Sequence, residues 1–224
     1  MINRKNLFAF VAPMAVFIGL LALNSALKQF GDVSWSKSTE YWIYPAQTLL
    51  CGALLLVFWK HYRLSRPVGA IFGLTIGALV FLLWIAPQAW LGFAPRTDGF
   101  NPEVFAAGSP VYFATVGLRF LRLVVVVPLL EEIFWRGFLL RYLIDEDFEQ
   151  VPLGRFTWLS FSVVVLAFAF SHSRPDWPAA IATGILYNVV MYRTKSLSTC
   201  ALAHAATNLF LGIWIMHTRQ WGFW

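Results

Sequence analysis

Apolar runs about as long as a bilayer-crossing helix, about 20 residues, recur along this chain with short polar stretches between them. Charge is scarce, with 12% of residues charged and 59% hydrophobic, where soluble domains carry about 25% charged residues. Much of the surface must therefore face something other than water, and lipid is the solvent that runs of this length fit. The net charge is +6, yet no basic cluster is interleaved with aromatics, which argues against a nucleic-acid partner. Positive loops lying on anionic lipid fit better. The eleven tryptophans suit long membrane interfaces, where indole rings concentrate. Cys51 and Cys200 both sit inside apolar runs and read as buried thiols; two cysteines build neither a disulfide framework nor a metal ribbon.

The pattern predicts an all-α, polytopic membrane helix bundle of about seven spans. The first covers about Leu7 to Leu27. Its apolar stretch is longer than a usual signal-peptide core and lacks a clear small-residue cleavage site, so it reads as a retained helix. A polar loop with Lys28, Asp32, Lys37 and Glu40 leads to a second span, about Trp42 to Trp59. After the basic loop Lys60 to Arg66, a third span runs from about Val68 to Leu91. The stretch Val111 to Ile144 is too long for one span and contains Arg119 and Arg122. Arginines at mid-bilayer cost at least ~2.5–3.5 kcal/mol each. Val111 to Arg122 is therefore expected to be a broken or interfacial segment, with the fourth span at about Leu123 to Leu143. The remaining spans are expected at about Phe156 to His172, Trp177 to Tyr192 and Leu197 to Met216. The basic loops favour a cytoplasmic N-terminus and an outer C-terminus.

Chemistry is signalled by where polar residues interrupt the apolar runs. Glu131 and Glu132 fall near the centre of the fourth span, and intramembrane carboxylates are functional candidates by default. Arg136 follows Glu132 by one helical turn, on the same face, so the two can form an internal ion pair. Glu131 points about 100° round the helix and is not neutralised by that pair, which makes it a candidate general base. His172 ends the fifth span. His204 and Asn208 share one face of the seventh. Imidazole can hold water or a metal, and an asparagine amide can donate to a developing oxyanion. A structural knot of buried charges is the alternative explanation for the glutamates and arginine. Depth arithmetic for upright helices leaves His172 and His204 on opposite sides of Glu131, with a gap of ~10 Å that tilt, an embedded helix start or a broken helix would have to close.

The string Glu131-Glu132-Ile133-Phe134-Trp135-Arg136-Gly137 resembles the EExxxR motif of the CPBP family (CAAX proteases and bacteriocin-processing enzymes, also called Abi). Phe168-Ala169-Phe170-Ser171-His172 is similar to its FxxxH motif, and His204-Ala205-Ala206-Thr207-Asn208 to its HxxxN motif. The resemblance divides the chain into 1–110, membrane helices without recognised motifs, and 111–224, a CPBP-like catalytic helix bundle. The general layout also resembles the CAAX-protease-related proteins of bacteria with exosortase-type surface sorting.

The resemblance implies an intramembrane endopeptidase. Glu131 and His172 would activate the attacking water, His204 and Asn208 would stabilise the oxyanion, and Glu132 and Arg136 would orient the site. Members are described both as metalloproteases and as glutamate-dependent peptidases. Glu131, His172 and His204 are the candidate ligands should zinc be the cofactor, although the HExxH spacing of zinc peptidases is absent. The implied partners are a membrane-associated protein or peptide substrate and the lipid bilayer, in a multi-pass protein of a bacterial inner membrane. Two other classes compete: a non-catalytic membrane partner or immunity-type protein, and an ion-coupled transporter. A transporter often shows two related halves with matching broken helices, and the sequence has none.

Overall fold

The computed structural model describes residues 4–29, 38–62, 64–96 and 99–224; the loop residues Asp32 and Lys37 lie outside them. Seven helical rods are present among the described residues: α1 (Arg4–Gln29), α2 (Glu40–Val57), α3 (Ala70–Ala89), α4 (Pro110–Tyr142), α5 (Trp158–Phe170), α6 (Trp177–Thr194) and α7 (Leu197–Thr218). Four of the helices are long and apolar enough to cross a membrane: α3, α4, α7 and the Asn6–Gln29 part of α1. The other three fall short for visible reasons. In α2 and α6 the apolar run is diluted by polar side chains that turn inward, Gln47 and Thr48 in α2 and Thr183 and Asn188 in α6. Helix α5 has only 13 residues, about 20 Å of rise.

Side-chain oxygens start three of these helices. Ser109 accepts from the Tyr112 amide (3.1 Å) ahead of Pro110, Thr157 from the Ser160 amide (3.2 Å) and Ser196 from the Thr199 amide (3.2 Å), each satisfying a donor that the helix leaves free. Large apolar side chains such as Phe8, Leu56, Ile71, Phe113 and Trp158 stand exposed on the outside. An apolar exterior of this extent is stable only under lipid. The fold is an all-α polytopic membrane helix bundle.

The core runs through the whole chain. Phe10 and Met14 of α1, Leu130 and Ile133 of α4, Phe168 of α5 and Cys200 of α7 belong to one buried cluster. Helix α3 packs along α7 at close range through two glycines. A Cβ on Gly73 would lie 2.9 Å from the Thr199 methyl, and one on Gly77 would collide with the Ala203 carbonyl. Small residues at this spacing let two membrane helices approach closely.

The structure corrects the broken segment expected before the fourth span. Helix α4 runs through Val111–Arg122 without interruption, 33 residues in one rod. Its arginines are tolerated because they are buried in protein. Arg119 (4% exposed) stacks on Tyr44, Phe100 and Trp224. Arg122 stacks on Phe17 and Tyr44 and donates to Gln47 Oε1 at 2.8 Å. The irregularity takes another form, two π-helical stretches at Arg122–Val126 and Ile133–Leu139. The first has an evident cause. Pro128 has no N–H to donate and its ring crowds the preceding turn, and a wider turn before it relieves the clash.

Candidate active site

Helix α4 carries the two glutamates on adjacent faces with different environments. Glu132 is fully buried. Its Oε1 accepts from Arg136 Nη1 at 3.1 Å and faces His204 Nδ1 at 3.0 Å. Arg136 is fully buried as well. Its Nε donates to Asn188 Oδ1 at 3.1 Å and its Nη2 to the Gly184 carbonyl at 3.3 Å, and its guanidinium lies 5.1 Å from the Phe168 ring and 5.5 Å from Tyr187. The i,i+4 pair expected from the sequence is thus one edge of a network joining α4, α6 and α7.

Glu131 points elsewhere. Glu131, His172, His204 and Asn208, from α4, the turn after α5, and α7, line one cavity of about 440 Å³. The depth mismatch computed for upright helices does not keep them apart. Glu131 is 7% exposed, and its Oε2 has no hydrogen-bond partner among the described residues. An unpartnered buried carboxylate oxygen at a cavity wall is well placed to hold a water or a reacting group.

Both histidines are anchored through Nδ1. His172 lies two residues past the end of α5 and its Nδ1 is 2.8 Å from the Phe168 carbonyl. A carbonyl only accepts, so Nδ1 carries the proton and Nε2 presents its lone pair. The ring is flanked by Phe168 (4.8 Å) and Trp84 (5.5 Å), and Trp177 Nε1 donates to the His172 carbonyl at 3.1 Å. His204 directs Nδ1 at the Glu132 carboxylate, which likewise fixes the proton there. Its ring lies 5.2 Å from that of Tyr187, whose hydroxyl donates to Thr207 Oγ1 at 2.7 Å; Thr207 donates in turn to the Gly77 carbonyl at 2.7 Å. For His204 to donate through Nε2, the ring must be an imidazolium with Glu132 as its counter-ion.

Asn208 donates from Nδ2 to the Leu123 carbonyl at 2.9 Å. This bond follows from the π turn. The Val127 amide reaches back to the Arg122 carbonyl. In the same register the Leu123 carbonyl would look to residue 128, which is proline and has no N–H. Asn208 fills the vacancy from α7, and its second amide hydrogen remains for the cavity.

Among the described residues no three His, Cys, Asp or Glu side chains come together as a metal-holding group. Glu131, His172 and His204 share the cavity wall but do not form a ligand set in this arrangement. Sequence spacing did not indicate Asn188 and Gly184, which hold Arg136, nor Tyr187 and Thr207 beside His204. The signal available was a Gly184-x-x-x-Asn188 pair at one-turn spacing inside an apolar run.

Residues 113–210 match the family described as Type II CAAX prenyl endopeptidase Rce1-like. No curated protein and no solved structure matches the chain. The matched segment begins in the first turns of α4 and ends in α7, so it contains Glu131, Glu132, Arg136, His172, His204 and Asn208. Over this segment the chain resembles a CAAX-protease-type intramembrane hydrolase, and the match supports an intramembrane endopeptidase classification.

Proposed function

We propose that the chain hydrolyses a peptide bond in or beside the membrane by carboxylate-activated water at Glu131. The observation that carries this reading is the unpartnered Glu131 carboxylate oxygen in a cavity shared with His172, His204 and Asn208. Glu131 takes a proton from a water that it and His172 Nε2 hold, and the oxygen attacks the peptide carbonyl carbon. The carbonyl oxygen becomes an oxyanion facing His204 and the free amide hydrogen of Asn208. As the C–N bond breaks, Glu131 returns the proton to the leaving amine. Glu132 and Arg136 hold His204 in place and touch no reacting atom.

The substrate is a membrane-associated protein or peptide. All seven rods lie in the membrane, with the shorter α2, α5 and α6 completed by inward polar contacts, and the membrane is a bacterial inner membrane. In this mechanism Glu131 and His172 activate the water through their own side chains, and no step needs zinc.

Glu131→Gln tests the base. The amide keeps the shape and removes proton acceptance. Cleavage of a co-expressed membrane substrate should fall to background while abundance and melting stay as in the parent. Undiminished cleavage by a well-folded Glu131→Gln chain would overturn the assignment.

A further inference from the structure

His172 sits where its helix no longer holds it. The residue lies two positions past the end of α5 and is partly exposed. Its ring is aimed by the bond between Nδ1 and the Phe168 carbonyl at 2.8 Å. Ser171 Oγ is 3.3 Å from the same nitrogen but already donates to that carbonyl. One neutral hydrogen bond at a partly exposed position competes with water and is weak on its own. Nε2 must nevertheless face the cavity in one direction to hold a water for Glu131. Besides Phe168, the side chain that stands against the ring is Trp84 of α3, with centroids 5.5 Å apart and an interplanar angle of 53°.

The indole is itself fixed. Its Nε1 donates to Thr183 Oγ1 on α6 at 2.9 Å, and the Thr183 hydroxyl donates to the Ala179 carbonyl at 2.7 Å. A hydroxyl has one proton, so the second bond commits it and leaves the lone pairs for the indole. Trp84 is two turns beyond Gly77 on the same face of α3, and it packs on the buried cluster of Val80, Tyr187 and Ala203. It lines both the catalytic cavity and a neighbouring one of about 800 Å³ edged by Leu83, Pro87, Leu91 and Phe93. An aliphatic side chain would pack α3 against α6 with no N–H to satisfy. An indole tied at its N–H has a single orientation, and it spends that orientation on the His172 ring.

We propose that Trp84 is a positioning residue for His172, keyed to α6 by the Thr183 hydroxyl, and that it sets the direction in which His172 Nε2 presents its lone pair to the attacking water. Its part in catalysis rests on the hydrolysis reading; its action on the ring does not. Trp84 stops the imidazole from turning about its Cβ–Cγ bond. Nδ1 therefore stays on the Phe168 carbonyl and keeps the proton. Trp84 lies outside the matched residues 113–210, so a helix without the motifs completes the site. The same helix sets both histidines: Gly77 lets α7 approach with His204, and Trp84 holds His172.

Nitrogen NMR of isotope-labelled histidine rings in the full chain reads the ring without any substrate. The chain is held in lipid nanodiscs at about pH 8.5, where an ordinary imidazole is neutral, and His172 is assigned by the loss of its signals in His172→Gln. The parent should show His172 as one tautomer, protonated at Nδ1. Trp84→Phe removes the N–H, and Thr183→Val removes its acceptor at nearly the same shape; each should give a mixture of the two tautomers. Thr183→Ser puts the hydroxyl back and should recover most of what Thr183→Val loses. Against the membrane substrate of the Glu131→Gln test, Trp84→Phe and Thr183→Val should each lower kcat by roughly tenfold or more with KM nearly unchanged. The double variant should be no worse than either alone, because both remove one bond. A Trp84 that only packs α3 against α6 would instead lower the melting temperature and leave the tautomer and the kcat of folded chain as in the parent. That result, a single tautomer in both variants, or additive losses in the double variant would overturn the positioning role. Mixed tautomers in the variants of a chain whose parent cuts no peptide would sink the hydrolysis reading alone.

Discussion

Glu132 Oε1 lies 3.0 Å from His204 Nδ1 and 3.1 Å from Arg136 Nη1, so one carboxylate oxygen fixes a ring on α7 and a guanidinium on its own helix. Both partners depend on its charge. Glu132→Gln leaves Arg136 buried without its counter-ion, which costs roughly 3–5 kcal/mol. The variant should fall in abundance and melting temperature as well as in activity, and Arg136→Ala should behave alike. A Glu132→Gln chain that accumulates and melts like its parent would show that the network holds nothing together.

The pair itself was legible, because Glu132 and Arg136 are one turn apart on a helix that their apolar neighbours define. So were the approximate ends of the helices, since the polar stretches that separate the runs are short. The reach of the network was not. Asn188, Gly184 and His204 come from other helices, and nothing in their spacing says which face of α6 meets α4. The surroundings of Arg119 and Arg122 are not legible in the sequence for a related reason. An arginine in an apolar run is costly against lipid, whereas Tyr44, Phe100, Phe17 and Gln47 supply a protein lining that only the packed bundle brings together.

The close approach of α3 to α7 sets the position of His204. Gly77→Ala would drive a methyl group into the Ala203 backbone, an overpacking cost of about 1–3 kcal/mol. The shift should also move His204 away from Glu132 and lower kcat more than it raises KM. Gly19→Ala is the control, because nothing lies within 4 Å of a Cβ there. Equal melting temperatures for the two variants would exclude tight glycine-mediated packing.

The metal question separates by composition and rate. If the reaction runs on Glu131 and water alone, single-turnover cleavage should be unchanged after exhaustive chelation, and purified chain should carry no stoichiometric zinc. If His204 is a ligand, wild type should contain zinc and His204→Ala should lose it and recover partial activity with excess metal. Elemental analysis of both proteins decides between the two.

Asn208 has two jobs in this structure, and they can be pulled apart through Pro128. Its Nδ2 satisfies the Leu123 carbonyl, which proline at 128 cannot. Asn208→Ala leaves that partly buried carbonyl without its protein donor, at a cost of up to about 1 kcal/mol. It also removes an amide hydrogen from the cavity, where loss of an oxyanion donor typically lowers turnover by 10²–10³-fold. Pro128→Ala restores a backbone N–H below Leu123 and removes the ring that forces the wide turn. In the double variant the stability lost in Asn208→Ala should return in large part, a coupling that a double-mutant cycle measures directly. Turnover should stay low, because no backbone amide of α4 replaces a donor that reaches in from α7. Recovery of both stability and kcat would make Asn208 a brace alone and remove it from the oxyanion site. Recovery of neither would mean that Pro128 is not what leaves the Leu123 carbonyl open.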